Sequence, residues 1–191
     1  MLDLDRAEVV ARQKEAYGGI KIGSAFFGWL TATGTAVLLT ALIAGAGTAV
    51  GVATGTDTSS VTNQASQNAG TIGIAGGVAL LVILLVAYFC GGYVAGRMAR
   101  FNGAKQGVAV WLWAVVIAIV VAVVGLIAGN KYNVLANTNA FPRIPVDEGS
   151  LTTGGIIALV AAAVAALVGA VLGGLTGMRF HRKVDKAGLS D

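Results

Sequence analysis

The chain has 191 residues, 56% of them hydrophobic and only 12% charged, where a soluble domain of this size carries roughly 25% charged residues. So few charges cannot cover a globular surface in water, and none lies between Lys21 and Asp57, Asp57 and Arg97, Lys105 and Lys131, or Glu148 and Arg179. The net charge of +4 is held at the ends of these runs rather than in a patch interleaved with stacking aromatics, which argues against nucleic acid as a partner.

A helix crosses the hydrocarbon core of a bilayer with roughly 20 residues, and each charge-free run is long enough for one crossing. Four such runs in so short a chain leave nothing to bury them as soluble core helices. The expected fold is therefore all-α: a polytopic membrane protein whose four transmembrane helices pack through Gly/Ala/Thr faces, with the lipid bilayer as its first partner.

Residues 1–24 read as a polar N-terminal segment, with a short helix capped by Asp3 or Asp5, running to about Tyr17 and broken by Gly18-Gly19. It is too long and too acidic for the leader of a secretory signal peptide. Span 1 covers about 25–52 and opens with the interfacial aromatics Phe26, Phe27 and Trp29. A row of period four follows, Gly28, Ala32, Ala36, Thr40, Ala44 and Thr48, all small, with a second row of Gly47, Gly51 and Gly55. Small residues four apart let helix backbones approach closely, and in lipid that packing replaces the hydrophobic drive. A polar loop holding Asp57 leads to span 2, about 71–96, which ends in Gly91, Gly92, Ala95 and Gly96 beside Tyr88, Phe89 and Tyr93.

The segment Arg97–Lys105 is a short turn at Asn102-Gly103, which makes spans 2 and 3 antiparallel neighbours. Span 3 covers about 106–129 and carries Trp111 and Trp113 near its start. The connection 130–152 holds both prolines and several apolar residues, and is expected to lie back on the membrane surface. Span 4, about 153–178, carries the row Ala161, Ala165, Gly169, Gly173 and Gly177, and a basic tail, 179–191, follows. Spans 2 and 4 end alike, GGYVAGRMAR and GGLTGMRFHR. Convergent glycine packing beside basic span ends accounts for this echo better than a duplication, because spans 1 and 3 match poorly.

Orientation follows from the Lys and Arg bias. One side receives the N-terminal segment, the turn residues Arg97, Arg100 and Lys105, and the tail residues Arg179, Arg182, Lys183 and Lys186; the other receives only Lys131 and Arg143. Both termini are therefore expected in the cytoplasm, with the chain in the cytoplasmic membrane.

The stretch GGYVAGRMARFNGAKQG carries a likeness beyond composition. Through Gly91, Gly92, Ala95, Gly96, Arg97, Gly103 and Gly107 it resembles a family of uncharacterised small four-span membrane proteins of Gram-positive bacteria. The front stretch VVARQKEAYGGIKIGSAFFGWL and the closing HRKVDKAG resemble its actinobacterial branch. The resemblance implies a four-helix membrane fold and carries no catalytic residues over.

No constellation of chemical groups emerges. The charge-free runs hold no ionisable Asp, Glu, Lys, Arg or His at depth, where such a group would mark a functional site. One His, His181, and one Cys, Cys90, cannot build a metal site or a disulfide. His181 reads as part of a solvated basic tail, and Cys90 as a small apolar packing residue. Thr33, Thr35, Thr40, Thr48 and Thr176 read as helix threonines bonded to their own backbone rather than as a pore lining. The expectation is thus no catalytic, cofactor-binding or metal-binding residue. A non-enzymatic scaffold or assembly partner is favoured, joined to a second copy or another membrane protein. The alternative is a passive channel or transporter component for a small neutral solute.

Overall fold

The computed structural model describes residues 2–54, 69–132 and 153–187, and the loops between them lie outside the described residues. Among the described residues there are five helices and no strand: α1 Leu2–Tyr17, α2 Ile22–Ala53, α3 Ala69–Ala99, α4 Gly103–Tyr132 and α5 Thr153–Ala187. The last four contain apolar stretches of 26, 27, 23 and 29 residues, each long enough to cross a membrane. The chain is an all-α, four-span membrane architecture.

Helix ends follow local chemistry. Helix α1 starts at Leu2, so Asp3 and Asp5 lie inside its first turns and neither caps it. It stops where Gly18 N–H bonds Lys14 C=O at 2.8 Å and Gly19 turns to φ 99°, a left-handed termination that glycine adopts without steric cost. Helix α5 continues past Met178 to Ala187. Its last residues are mostly good helix formers, and the next glycine in the sequence is Gly188. Between α3 and α4 only residues 100–102 are non-helical. Arg100 and Asn102 take φ 58° and 60°, and Phe101 N–H bonds Ala99 C=O at 2.6 Å. The left-handed positions are thus Arg100 and Asn102, whereas Gly103 already opens α4. Its missing side chain serves packing: a Cβ there would meet the Gly174 carbonyl and, at 2.8 Å, the Met178 side chain.

Helices α3 and α4 each contact the other three spans, while α2 and α5 share no contact among the described residues. The cross-section is a rhombus with α3 and α4 on its short diagonal. The most extensive interface, α3 with α5, keeps a fixed register. A Cβ on Gly169 would strike Leu85 C=O, one on Gly173 would strike Phe89 C=O, and one on Gly177 would reach Tyr93 C=O at 2.5 Å. Each pair is 84 positions apart, so the two helices run parallel, turn for turn. On the adjoining ridge Gly92 opposes Ala170 and Gly96 opposes Gly174. Gly174 is pressed from the other side by Gly103, and Ala170 by Gly107, so three backbones meet where none carries a bulky side chain. Helix α2 joins through Gly28 against Gly91, with Ala32 and Ala95 beside them.

Among the described residues, packing is confined to one half of the bundle. Every buried residue among them falls within 25–32 of α2, 83–99 of α3, 103–110 of α4 or 166–177 of α5. Ala25, Ala95, Ala109, Val110 and Ala170 form its core, flanked by Trp29, Tyr88 and Trp113. Phe26 meets Trp113 edge-on at 5.4 Å, and Trp111 donates its indole N–H to Ala163 C=O at 3.0 Å. In the other half, residues 41–47, 73–78, 118–124 and 156–160 are exposed. Gly45, Gly47, Gly73, Gly76, Gly77 and Gly154 have nothing within 4 Å of a virtual Cβ. The Gly47 row therefore makes no close approach at Gly47, and its other members have no described side-chain environment.

Candidate functional site

The packed half ends where the α1–α2 junction, the 100–102 turn and the last turns of α5 come together. Most polar contacts between distant segments are made there.

Gln106, in the first turn of α4, is fully buried and is the one buried polar side chain among the described residues. Its carboxamide pairs with a single peptide group: Lys21 N–H donates to Gln106 Oε1 at 3.1 Å, and Gln106 Nε2 donates to Lys21 C=O at 3.1 Å. The same Lys21 carbonyl accepts from Ala25 N–H at 3.0 Å, the first bond of α2. A helix start leaves backbone N–H groups without intrahelical partners. Gln106 supplies one such partner, and its own amide is satisfied at both ends, as a buried carboxamide requires. Lys21 is thereby fixed at the mouth of the bundle, with its side chain exposed.

On the α3–α5 side, the Arg97 guanidinium carbon lies 3.8 Å from the centroid of the Phe180 ring. Arg97 Nη1 is buried without a hydrogen-bond partner among the described residues. The ring face takes over part of the stabilisation that water would give this charge. His181 Nε2 lies 2.7 Å from the Arg97 carbonyl; a carbonyl only accepts, so Nε2 carries the proton. His181 is half-buried rather than part of a solvated tail. It satisfies one of the carbonyls left open at the C-terminus of α3, and it continues the 84-residue register by one more turn.

On the opposite side a cleft of about 330 Å³ is lined by Gln13, Tyr17, Lys21, Ala99, Arg100 and Phe101. Arg100 Nη2 donates to Gln13 Oε1 at 3.3 Å, which draws α1 to the turn, and its guanidinium carbon lies 5.4 Å from the Phe101 ring centroid.

Of the residues picked out in the sequence, Gly28, Ala32, Gly91, Gly92, Ala95, Gly96, Gly169, Gly173 and Gly177 are all buried in helix contacts. The α2 row does not stay packed: Ala36 and Thr40 are half-exposed and Ala44 is exposed, while the Thr48 side chain lies outside the described residues. Arg97 is in the α3–α5 seam, Arg100 lines the cleft, and Lys105 and Arg179 are exposed at the same end. Arg182 and Lys183 fall in the last turns of α5, with side chains outside the described residues. Thr31, Thr33, Thr35 and Thr176 donate to carbonyls of their own helices, at 2.9, 3.0, 2.8 and 3.0 Å for the bond four residues back. Thr40 makes no such bond.

Sequence reasoning passed over Gln106, Phe180 and the cleft, and it placed His181 in a solvated tail. Gln106 had a signal: with Gly103, Gly107 and Val110 it falls on one helix face, so a polar residue lies on the packed face of an apolar span. Among the described residues no three His, Cys, Asp or Glu side chains gather as a metal ion would need.

Compared with known proteins, the chain matches no family model, no curated protein and no solved structure.

Proposed function

We propose that the chain is a non-enzymatic integral protein of the cytoplasmic membrane that acts as an assembly partner, associating laterally through the outer part of the α2 small-residue face. The observation that carries this reading is the break in packing along that face. Gly28 and Ala32 are used within the bundle, but Ala36 and Thr40 remain half-exposed. Among the described residues the Thr40 hydroxyl has no hydrogen bond. In hydrocarbon an unbonded hydroxyl is costly, and small faces with hydroxyls are the usual means by which membrane helices associate. A conduit for a neutral solute would need hydroxyls facing a lumen, whereas Thr33, Thr35 and Thr176 turn theirs back on their own helices.

The proposed orientation places α1, the 100–102 turn and the end of α5 in the cytoplasm, because eleven of the thirteen Lys and Arg lie in those segments or, as Lys21, Arg97 and Lys105 do, within a few residues of them. The likeness of the Gly91–Gly107 stretch to small four-span proteins of Gram-positive bacteria belongs to the same proposal.

The test is cross-linking in native membranes and purification in mild detergent, comparing the wild type with Ala36→Leu/Thr40→Leu. A cross-linked species of defined size that the double variant loses is the expected result. Unchanged cross-linking and migration in the variant would contradict association through this face.

A further inference from the structure

We infer that the cleft between α1, the start of α2 and the 100–102 turn binds a phosphate group of net negative charge, presented by an anionic phospholipid of the adjoining leaflet. Among the described residues the cleft is lined by Gln13, Tyr17, Lys21, Ala99, Arg100 and Phe101, which carry a carboxamide, a phenol, an ammonium and a guanidinium. None of these described residues is acidic. Ammonium and guanidinium groups are donors only, and together they read an oxyanion.

The cleft is built rather than incidental. The Lys21 backbone is clamped by the buried Gln106 carboxamide, and Arg100 is held at φ 58° in a three-residue turn and tied to Gln13. Two cations from segments far apart in sequence are thus brought to one cleft. At about 330 Å³ its size suits a small headgroup, being at the low end of ligand sites, roughly 300–1,000 Å³.

Depth decides the source of the phosphate. Lys21 immediately precedes the apolar stretch that begins at Ile22, and Arg100 immediately follows the one that ends at Ala99. Taking α2 and α3 as membrane spans, both cations stand at the boundary of the hydrocarbon, where lipid phosphates lie. Tyr17, 68% exposed, and Phe101 add the aromatic character of an interface.

The experiment is native mass spectrometry of the full chain released from mild detergent, titrated with phosphatidylglycerol. Phosphatidylcholine is the zwitterionic arm and glycerol 3-phosphate the soluble arm. Lys21→Gln/Arg100→Gln is compared with Lys105→Gln/Arg179→Gln, which removes equal charge at the same end but outside the cleft. All four side chains are exposed, and the Gln106 clamp uses the Lys21 backbone, so folding is retained. The first phosphatidylglycerol is expected to bind more tightly than phosphatidylcholine. It should bind about tenfold more weakly to the cleft variant and within about twofold of wild type to the control. The charge-neutral Tyr17→Ala should weaken it about threefold. Equal binding of the two lipids, or equal losses in the two double variants, would overturn the site. Full competition by glycerol 3-phosphate would overturn the lipid as its source.

Discussion

Gln106 and Lys21, 85 positions apart, are joined by two hydrogen bonds of 3.1 Å between a buried carboxamide and a backbone peptide. This pair ties the start of α2 to the start of α4 at the level where the chain enters its first span. Gln106→Ala should destabilise the folded bundle by about 2–3 kcal/mol, through a lost buried bond pair and an unfilled volume. Gln106→Leu restores the volume but leaves Lys21 N–H unpaired, so it should still cost about 1–3 kcal/mol. Equilibrium unfolding in mixed micelles measures both. A Leu variant as stable as wild type would remove the clamp from the account.

Glycines at the two ends of the bundle should respond in opposite ways. Gly174 opposes Gly96 on one side and Gly103 on the other, and a Cβ there would overlap the Gly103 carbonyl. Gly174→Ala must part α5 from α4, with an expected loss of about 1–3 kcal/mol. Gly76 has nothing within 4 Å of a virtual Cβ, so Gly76→Ala should be neutral or stabilising by up to about 1 kcal/mol. The contrast between two identical substitutions, read by thermal unfolding in detergent, checks where the packing lies.

Much of this was legible in the sequence, for identifiable reasons. Charge-free runs place spans because the cost of burying charge in lipid is large and local. The small residues Gly91, Gly92, Ala95 and Gly96 and the row ending in Gly177 showed which faces are smooth, because period four is intrinsic to a helix. Which smooth face meets which was not legible. The 84-residue offset between α3 and α5 depends on backbone shape matching between distant segments, and single helices carry no record of it. How much of the α2 row is used within the bundle was not legible for the same reason: small residues recur every fourth position from Gly28 to Thr48, but among the described residues the neighbouring helices close on that face only as far as Ala32. His181 was hidden by its setting among Arg179, Arg182 and Lys183, which reads as a solvated tail. Its half-buried place follows from α5 continuing as a helix alongside the end of α3.

Arg97 and Phe180 should be energetically coupled. With Nη1 buried and unpaired among the described residues and the ring at 3.8 Å, the aromatic face is a principal stabiliser of the guanidinium. A double-mutant cycle with Phe180→Leu and Arg97→Gln should give a coupling of about 1–2 kcal/mol. Additive losses would show that the stacking contributes nothing beyond shape.

Thr40→Val separates folding from assembly. Its hydroxyl makes no bond among the described residues, so the isolated chain should keep its stability within about 0.5 kcal/mol. If the hydroxyl bonds across a lateral contact, association should weaken by about threefold to tenfold. Förster transfer between labelled chains in liposomes reads this directly, and unchanged transfer would contradict a role for Thr40.

The central claim is that four helices cross the membrane and leave α1, the 100–102 turn and the end of α5 together in the cytoplasm. Single-cysteine accessibility in intact cells tests it most directly, with Cys90 replaced by Ala and one cysteine placed in turn at Lys14, Asn102, Lys186 or Asn137. The account predicts that the first three react with an impermeant maleimide only after the membrane is opened, while position 137 reacts from outside. External labelling at position 14, 102 or 186, or the same response at all four, would contradict it.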